Sequence, residues 1–185
     1  MWFRNGLLKV TAYILPALLF LPVFMPPAMM ATPAAGQQVR TGPSGLPLPR
    51  FVSLSTDRVN VRRGPGRNYN IAWVFVRDGL PVEIIGEFEN WRQIRDWEGS
   101  EGWIHRSLLS GRRTAIIAPW DDEAQFALRQ SPSDDADIVA YLQAKLVTAV
   151  RSCEKNWCRL EDERFDGWIE QSRLWGVYPQ EIVDE

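Results

Sequence analysis

Residues 101–111 read EGWIHRSLLSG, and residues 166–176 read DGWIEQSRLWG. Gly-Trp-Ile, a serine, a leucine and a closing glycine recur in the same order at an offset of 65. Self-similarity at a fixed period marks duplicated structural units rather than one long domain. Reading back toward the N-terminus extends the match: ENW at 89–91 meets KNW at 155–157, and NVRRGP at 60–65 meets ALRQSP at 127–132, aligning Arg62 with Arg129 and Pro65 with Pro132. The offset closes from 67 to 66 to 65 along the chain, so two single-residue deletions separate units of about 60 residues.

Each unit reads as β structure. IAWVFV at 71–76 and PVEII at 81–85 are short β-branched and aromatic runs bounded by glycine-containing turns. WRQIRDW, from Trp91, alternates imperfectly, with Trp91, Ile94 and Trp97 as its apolar positions. The second unit answers with 138–142, 146–150 and 157–160, and the single helical turns expected are HRSLL at 105–109 and EQSRL at 170–174. About five short strands in so few residues predict a small closed barrel, which leaves little sheet edge exposed. The fold class expected is therefore all-β, two tandem barrels.

The chain opens MWFRNGLLKVTAYILPALLFLPVFMPPAMMATPAAGQQ: two basic residues, a long apolar run, then small residues. That order is a secretory signal peptide over 1–36, making the remainder periplasmic or secreted. The alternative is an inner-membrane anchor formed by residues 10–31, the one route to a membrane association; Pro16, Pro22, Pro26 and Pro27 count against a continuous spanning helix. Residues 37–50, rich in Gly and Pro, read as a linker, followed by domains at 51–117 and 118–178 and an acidic tail at 179–185.

Both units resemble bacterial SH3-like domains. RVNVRRGPGRNYN, ENWRQIRDWEGSEGW and SLLSGRRT carry the resemblance in the first, and it extends over essentially all of the chain after residue 36, in the manner of an exported two-repeat subfamily. The second unit lacks counterparts of Gly64 and Gly66, which leaves the shape of its first loop open. The resemblance implies binding in the cell envelope, with peptidoglycan or its peptide stems as ligand; a protein-protein adaptor for an envelope enzyme is the alternative. The acidic, tyrosine-rich motif with which eukaryotic SH3 domains grip proline-rich peptides has no counterpart here.

SCEKNWC at 152–158 holds both cysteines of the chain. The repeat places Cys153 opposite Glu87 and Cys158 opposite Arg92, flanking a hairpin centred on Lys155-Asn156, so a cross-strand disulfide is expected. A structural zinc site wants four ligands, and two cysteines with one histidine, His105, cannot supply them. Cys-x4-Cys is not the redox Cys-x-x-Cys arrangement. Nucleophile-elbow, phosphate-loop and zinc-protease motifs are missing, so no enzyme, metal or cofactor is expected.

Binding residues are sought among aromatics and arginines. Trp91 pairs with Trp157 and Trp103 with Trp168 across the repeat, which favours core positions, whereas Trp73, Trp97, Trp120 and Trp175 have no repeat partner and fit a groove or an interface between the units. Arg58, Arg62, Arg63 and Arg67 cluster in the first loop with Tyr69 and suit carboxylates or phosphates, unless that loop docks on the second unit. Ligand candidates are thus Arg62, Arg63, Arg67, Tyr69, Trp91, Trp97 and Trp157. Residues 37–113 carry 12 basic and 8 acidic side chains, a net of +4, against 7 and 15, a net of −8, for 114–185. The exported compartment and an acidic pI of about 5.6 argue against nucleic acid. Cell-wall glycan or peptide, or an envelope protein, is the expected partner.

Overall fold

The computed structural model describes residues 40–122 and 124–184; the signal-peptide segment and the alternative anchor at 10–31 lie outside the described residues. A short ribbon comes first, β1 (Arg40–Thr41) paired with β2 (Pro47–Leu48). The first repeat supplies β3 (Arg50–Leu54), β4 (Val59–Arg62), β5 (Ile71–Phe75), β6 (Pro81–Phe88), β7 (Trp91–Arg95), β8 (Glu101–His105) and β9 (Leu109–Ser110). The second supplies β10 (Thr114–Ile117), β11 (Gln125–Arg129), β12 (Ile138–Gln143), β13 (Val147–Glu154), β14 (Trp157–Asp162), β15 (Phe165–Glu170) and β16 (Leu174–Trp175). Strand order is β5-β4-β8-β7-β6-β3-β9 in one sheet and β12-β11-β15-β14-β13-β10-β16 in the other, so each strand has a counterpart in the same place. Bulges recur too, at Val61/Arg62 and Leu128/Arg129, and at Ile84/Gly86 and Val150/Ser152. The duplicated all-β architecture read from the sequence is the architecture present.

The Gly-Trp-Ile motif follows from strand alternation. Ile104 and Ile169 point inward and are buried, while Trp103 and Trp168 point outward and are half-buried. The glycine sits where another strand crosses close by. A Cβ on Gly102 would lie 2.4 Å from Val61 Cγ1, and one on Gly167 would lie 2.8 Å from the Arg129 carbonyl. Both cores are aliphatic: Leu54, Val59, Val61, Val82, Ile84, Ile94 and Ile104 in the first, and Ile117, Leu128, Val150, Leu160 and Ile169 around the cysteines in the second. Each such side chain removed from water contributes about 1.5–3 kcal/mol before conformational entropy is counted.

The first loop, left open for the second repeat, has the same backbone in both. Gly66 N–H donates to the Gly64 carbonyl as Ser133 does to Ser131, and Tyr69 N–H to Gly66 as Ala136 does to Ser133. Glycine is needed in the first repeat because the Tyr69 ring lies over it, 2.5 Å from a Cβ built on Gly64. Alanine at 136 makes no such demand, which is why serines suffice at 131 and 133.

Two segments differ from the expected division. Residues 40–50 are not an extended spacer: Leu48 is buried, and the Ser44 amide and hydroxyl both donate to Glu87, at 2.9 and 2.8 Å. β10 lies within the expected first domain of 51–117 yet pairs with β13 and β16 of the second sheet. TAII does not resemble its counterpart RFVSL, and the repeat signal begins only after it. The acidic tail is docked, with Glu181 on Arg113 at 2.8 and 3.0 Å and Val183 bridging Cys153.

The two barrels belong to one compact unit and pack through side chains. Phe51 of β3 meets Trp175 edge-on at 5.0 Å and Tyr178 at 4.7 Å. Ser53 and Thr114 share a buried hydrogen bond of 2.6 Å, and Tyr178 donates to Glu83 at 2.9 Å. Burial foremost, then the Glu83 carboxylate, holds the Tyr178 phenol well above its ordinary range.

Candidate functional site

The hairpin β6–β7 and the hairpin β13–β14 end in the shared Asn-Trp. In each, the asparagine carbonyl accepts the first amide of the 3-10 turn after the Gly-Trp-Ile strand: Arg106 to Asn90 at 2.8 Å, Gln171 to Asn156 at 2.7 Å. Hairpin tip and 3-10 turn (Arg106–Leu108 or Gln171–Arg173) are thereby fixed side by side, with a surface depression between them. In the first repeat it measures about 450 Å³ and is lined by Asn90, Arg92, His105, Arg106 and Ser107, with Arg50 at its edge. In the second it measures about 530 Å³ and is lined by Asn156, Trp157, Glu170, Gln171 and Ser172, with Asp134 at its edge. Asn90, His105, Arg106, Ser107 and Leu109 occupy the same repeat positions as Asn156, Glu170, Gln171, Ser172 and Leu174.

The electrostatics of the first depression are set from beneath. Glu87, opposite Arg92 on the paired strand, has a side chain only 1% exposed, and its Oε1 lies 2.8 Å from Arg50 and 3.2 Å from Arg92. Burial works to raise its pKa, but Arg50, the two Ser44 hydrogen bonds and Arg92 outweigh it and hold the carboxyl at about 2. Arg92 also donates to the carbonyls of Glu89 and Trp91, each at 2.9 Å. Among the described residues the Arg106 guanidinium has no partner and is exposed. In the second repeat the disulfide Cys153–Cys158 replaces the Glu87–Arg92 pair, with the two cysteines in register and a Cα–Cα distance of 4.1 Å. The bridge is the one the hairpin reading expected, and both cysteines are buried in the aliphatic core.

The sequence-derived candidates divide into those at this site and those elsewhere. Trp91 and Trp157 stand beside it: Trp91 packs edge-on against His105 at 5.4 Å, and Trp157 lines the second depression. Neither fills a core, because β7 turns Arg92 and Ile94 inward and Trp91 outward; Trp91 and Ile94 face opposite sides rather than sharing one. Arg62 holds its own loop by donating to the Tyr69 carbonyl at 2.7 Å, and its counterpart Arg129 does the same to Ala136 at 2.8 Å. A duplicated arginine making a duplicated bond has a structural role. Tyr69 covers the loop glycines with 45% of its surface exposed. The side chains of Arg58, Arg63 and Arg67 are exposed and, among the described residues, make no hydrogen bond or ion pair, so this loop is not docked through them on the second repeat.

Trp97 lies under Lys145 of the second repeat, 5.9 Å from its ring, and Trp175 is in the barrel-barrel contact. Trp73 packs against the first core and only Trp120 of the unrepeated four is largely exposed, at 59%. Sequence reasoning missed Arg106, Asn90 and Ser107. The signal was present in HRSLL, whose turn was recognised, but it takes the hairpin tip to give that turn a concave partner.

Comparison with known proteins adds three observations. A model of the bacterial SH3 domain matches residues 55–111 and again residues 122–176. The chain is 23% identical over 123 residues to YrvJ of Bacillus subtilis (strain 168), provisionally assigned as an N-acetylmuramoyl-L-alanine amidase; the match covers 63% of this chain and 24% of that one, so the chain spans about a quarter of this relative's length. Among solved structures, NlpC2 and NlpC1 of Trichomonas vaginalis align over 69% and 76% of this chain and 48% and 50% of theirs, both at 16% identity, with TM-scores of 0.31 and 0.32 that carry no structural argument.

Proposed function

The chain belongs to the bacterial SH3 domain family through both of its repeats, and from that membership we propose that it is a non-catalytic cell-envelope protein that binds peptidoglycan through the peptide stems. The observation that carries the reading is the shared stretch with YrvJ, provisionally assigned as an N-acetylmuramoyl-L-alanine amidase. The paired depressions support it, since a rigid concavity of polar side chains beside an outward-facing tryptophan suits a short polar peptide. Residence outside the cytoplasm fits the buried disulfide. The same disulfide occupies both cysteines, and on this reading the chain performs no chemistry of its own.

The test is co-sedimentation of the purified full-length chain with insoluble peptidoglycan. The protein is expected in the pellet; well-folded protein left in the supernatant would overturn the proposal. A second reading, an adaptor for an envelope protein, draws on the exposed apolar side chains of the outer strands β5 and β12, notably Ile71, Val139 and Tyr141 at 46%, 48% and 62% exposure. Under that reading a pull-down from envelope extract recovers one protein while purified wall recovers none of the chain.

A further inference from the structure

We propose that the depression of the first repeat is a carboxylate-recognition site that takes the free chain-end carboxylate of a short peptide; the proposal rests on the wall-binding reading and names the part of the wall that is gripped. Its lining brings Arg50, Arg92, Arg106 and His105 to one concavity with Asn90 and Ser107, and no acidic residue lines it. The carboxylate paired with two of these arginines, Glu87, is buried and does not line the depression, and both of its oxygens are already engaged, Oε1 by Arg50 and Oε2 by the Ser44 amide. It fixes two guanidinium groups without competing at the surface. Arg92 is tied further by two backbone carbonyls, so it is oriented before any ligand arrives. Arg106 contributes a guanidinium free of partners among the described residues, and a guanidinium grips a carboxylate through two parallel hydrogen bonds. Val52, Ile84 and Leu109 form an apolar side wall, which suits a small aliphatic side chain next to the carboxylate.

The second repeat serves as an internal control. There Glu170 stands for His105, Gln171 for Arg106 and Cys158 for Arg92, so three of the four positions lose their basic side chain, and Lys155 and Glu170 line the depression together. It also displays the chemistry in intramolecular form. Arg113, which takes the place of Arg50 in the strand pairing, already binds a carboxylate, that of Glu181, in bidentate fashion at 2.8 and 3.0 Å. Gln171 is buried beneath the same segment, its amide group bonded to Gln180 and Glu181. The chain's own C-terminal segment thus occupies in one repeat the type of contact that the other repeat offers to a ligand.

The test is an amide-proton and nitrogen NMR titration of the full chain with acetyl-D-alanyl-D-alanine, with its L-enantiomer and with the C-terminal amide of each. The free acids are expected to shift the amides of Asn90, His105 and Arg106 and to leave those of Glu170 and Gln171 in place, with the amidated peptides about tenfold weaker. The exposed substitution Arg106→Gln installs the residue of the second repeat and is expected to weaken the acids by about the same factor; His105→Glu is a second probe should the first perturb the turn. Equal affinity for acid and amide, or shifts confined to the second repeat, would overturn the site. If the wild-type chain sediments with wall and Arg106→Gln sediments as well while the peptides cause no shift, this inference fails and the wall reading stands. If the free acids bind as described and the wild-type chain ignores the wall, the carboxylate site stands and the wall reading fails.

Discussion

Single positions in this protein are set by close approach and by buried charge more than by aromatic content. Gly102 is required because Val61 occupies the space of a Cβ, so Gly102→Ala is expected to cost about 1–3 kcal/mol in urea unfolding. Gly111 is its contrast: it closes the same motif as Gly176 but meets nothing within 4 Å, and Gly111→Ala is expected to be silent, whereas Gly176 has φ +126° and a Cβ there would lie 2.4 Å from the Thr114 carbonyl. Glu87 sets the acid limit of the first repeat. Its carboxyl is depressed to about 2 from 4.5, so its stabilisation is present above pH 4.5 and is lost as pH falls toward 2. Glu87→Gln is expected to lose roughly 1–3 kcal/mol at neutral pH and to flatten the stability curve between pH 5 and 2. The glycines were legible as a motif but their reason was not, since a crossing strand far back in the sequence, at Val61 for Gly102 and at Arg129 for Gly167, supplies it. The tryptophans misled for a related reason: recurrence shows that a position is constrained, and alternation, imperfect in WRQIRDW, decides which face it is on.

Elements were more legible than residues. The hairpin at SCEKNWC followed from a two-residue turn and the pairing it imposes, and Lys155 and Asn156 take the positive φ values, 48° and 68°, that such a turn demands. Closing so short a loop with a disulfide restricts the unfolded chain by about 2 kcal/mol, and both sulfurs are also part of a core. Reduction, or the double substitution Cys153→Ala and Cys158→Ala, is expected to lower unfolding free energy by about that amount while leaving the first repeat's NMR spectrum in place. β10 and the 40–50 ribbon escaped detection because neither carries a repeat or an alternation of its own. Their structure comes from unpaired strand length next to them: β6 and β13 each outrun the strand beside them, and the excess is covered by the ribbon at Ile85 and Glu87 in one repeat and by Val183 at Cys153 in the other.

At the scale of the molecule, the sequence indicated two barrels and left their contact unspecified, because the groups that the Phe51, Ser53 and Tyr178 side chains meet across it, Trp175, Thr114 and Glu83, lie far away in sequence and in the other repeat. That contact couples the repeats. Removing the Tyr178 hydroxyl leaves the buried Glu83 acceptor short of a charge-assisted bond, so Tyr178→Phe is expected to cost about 1.5–3 kcal/mol; the native chain is expected to unfold in one calorimetric transition, and Phe51→Ala to split it into two. The docked C-terminal segment has a mechanical consequence. Val183 is joined to Cys153 by a pair of backbone hydrogen bonds, at 2.9 and 3.3 Å, and Cys153 is covalently tied to Cys158 on the neighbouring strand. Tension applied from the C-terminal side would therefore break those two bonds first and then meet Glu181, held by Arg113 in bidentate fashion, before it could load the barrel, while the sulfur bridge would keep the two strands of the hairpin joined as the tail leaves.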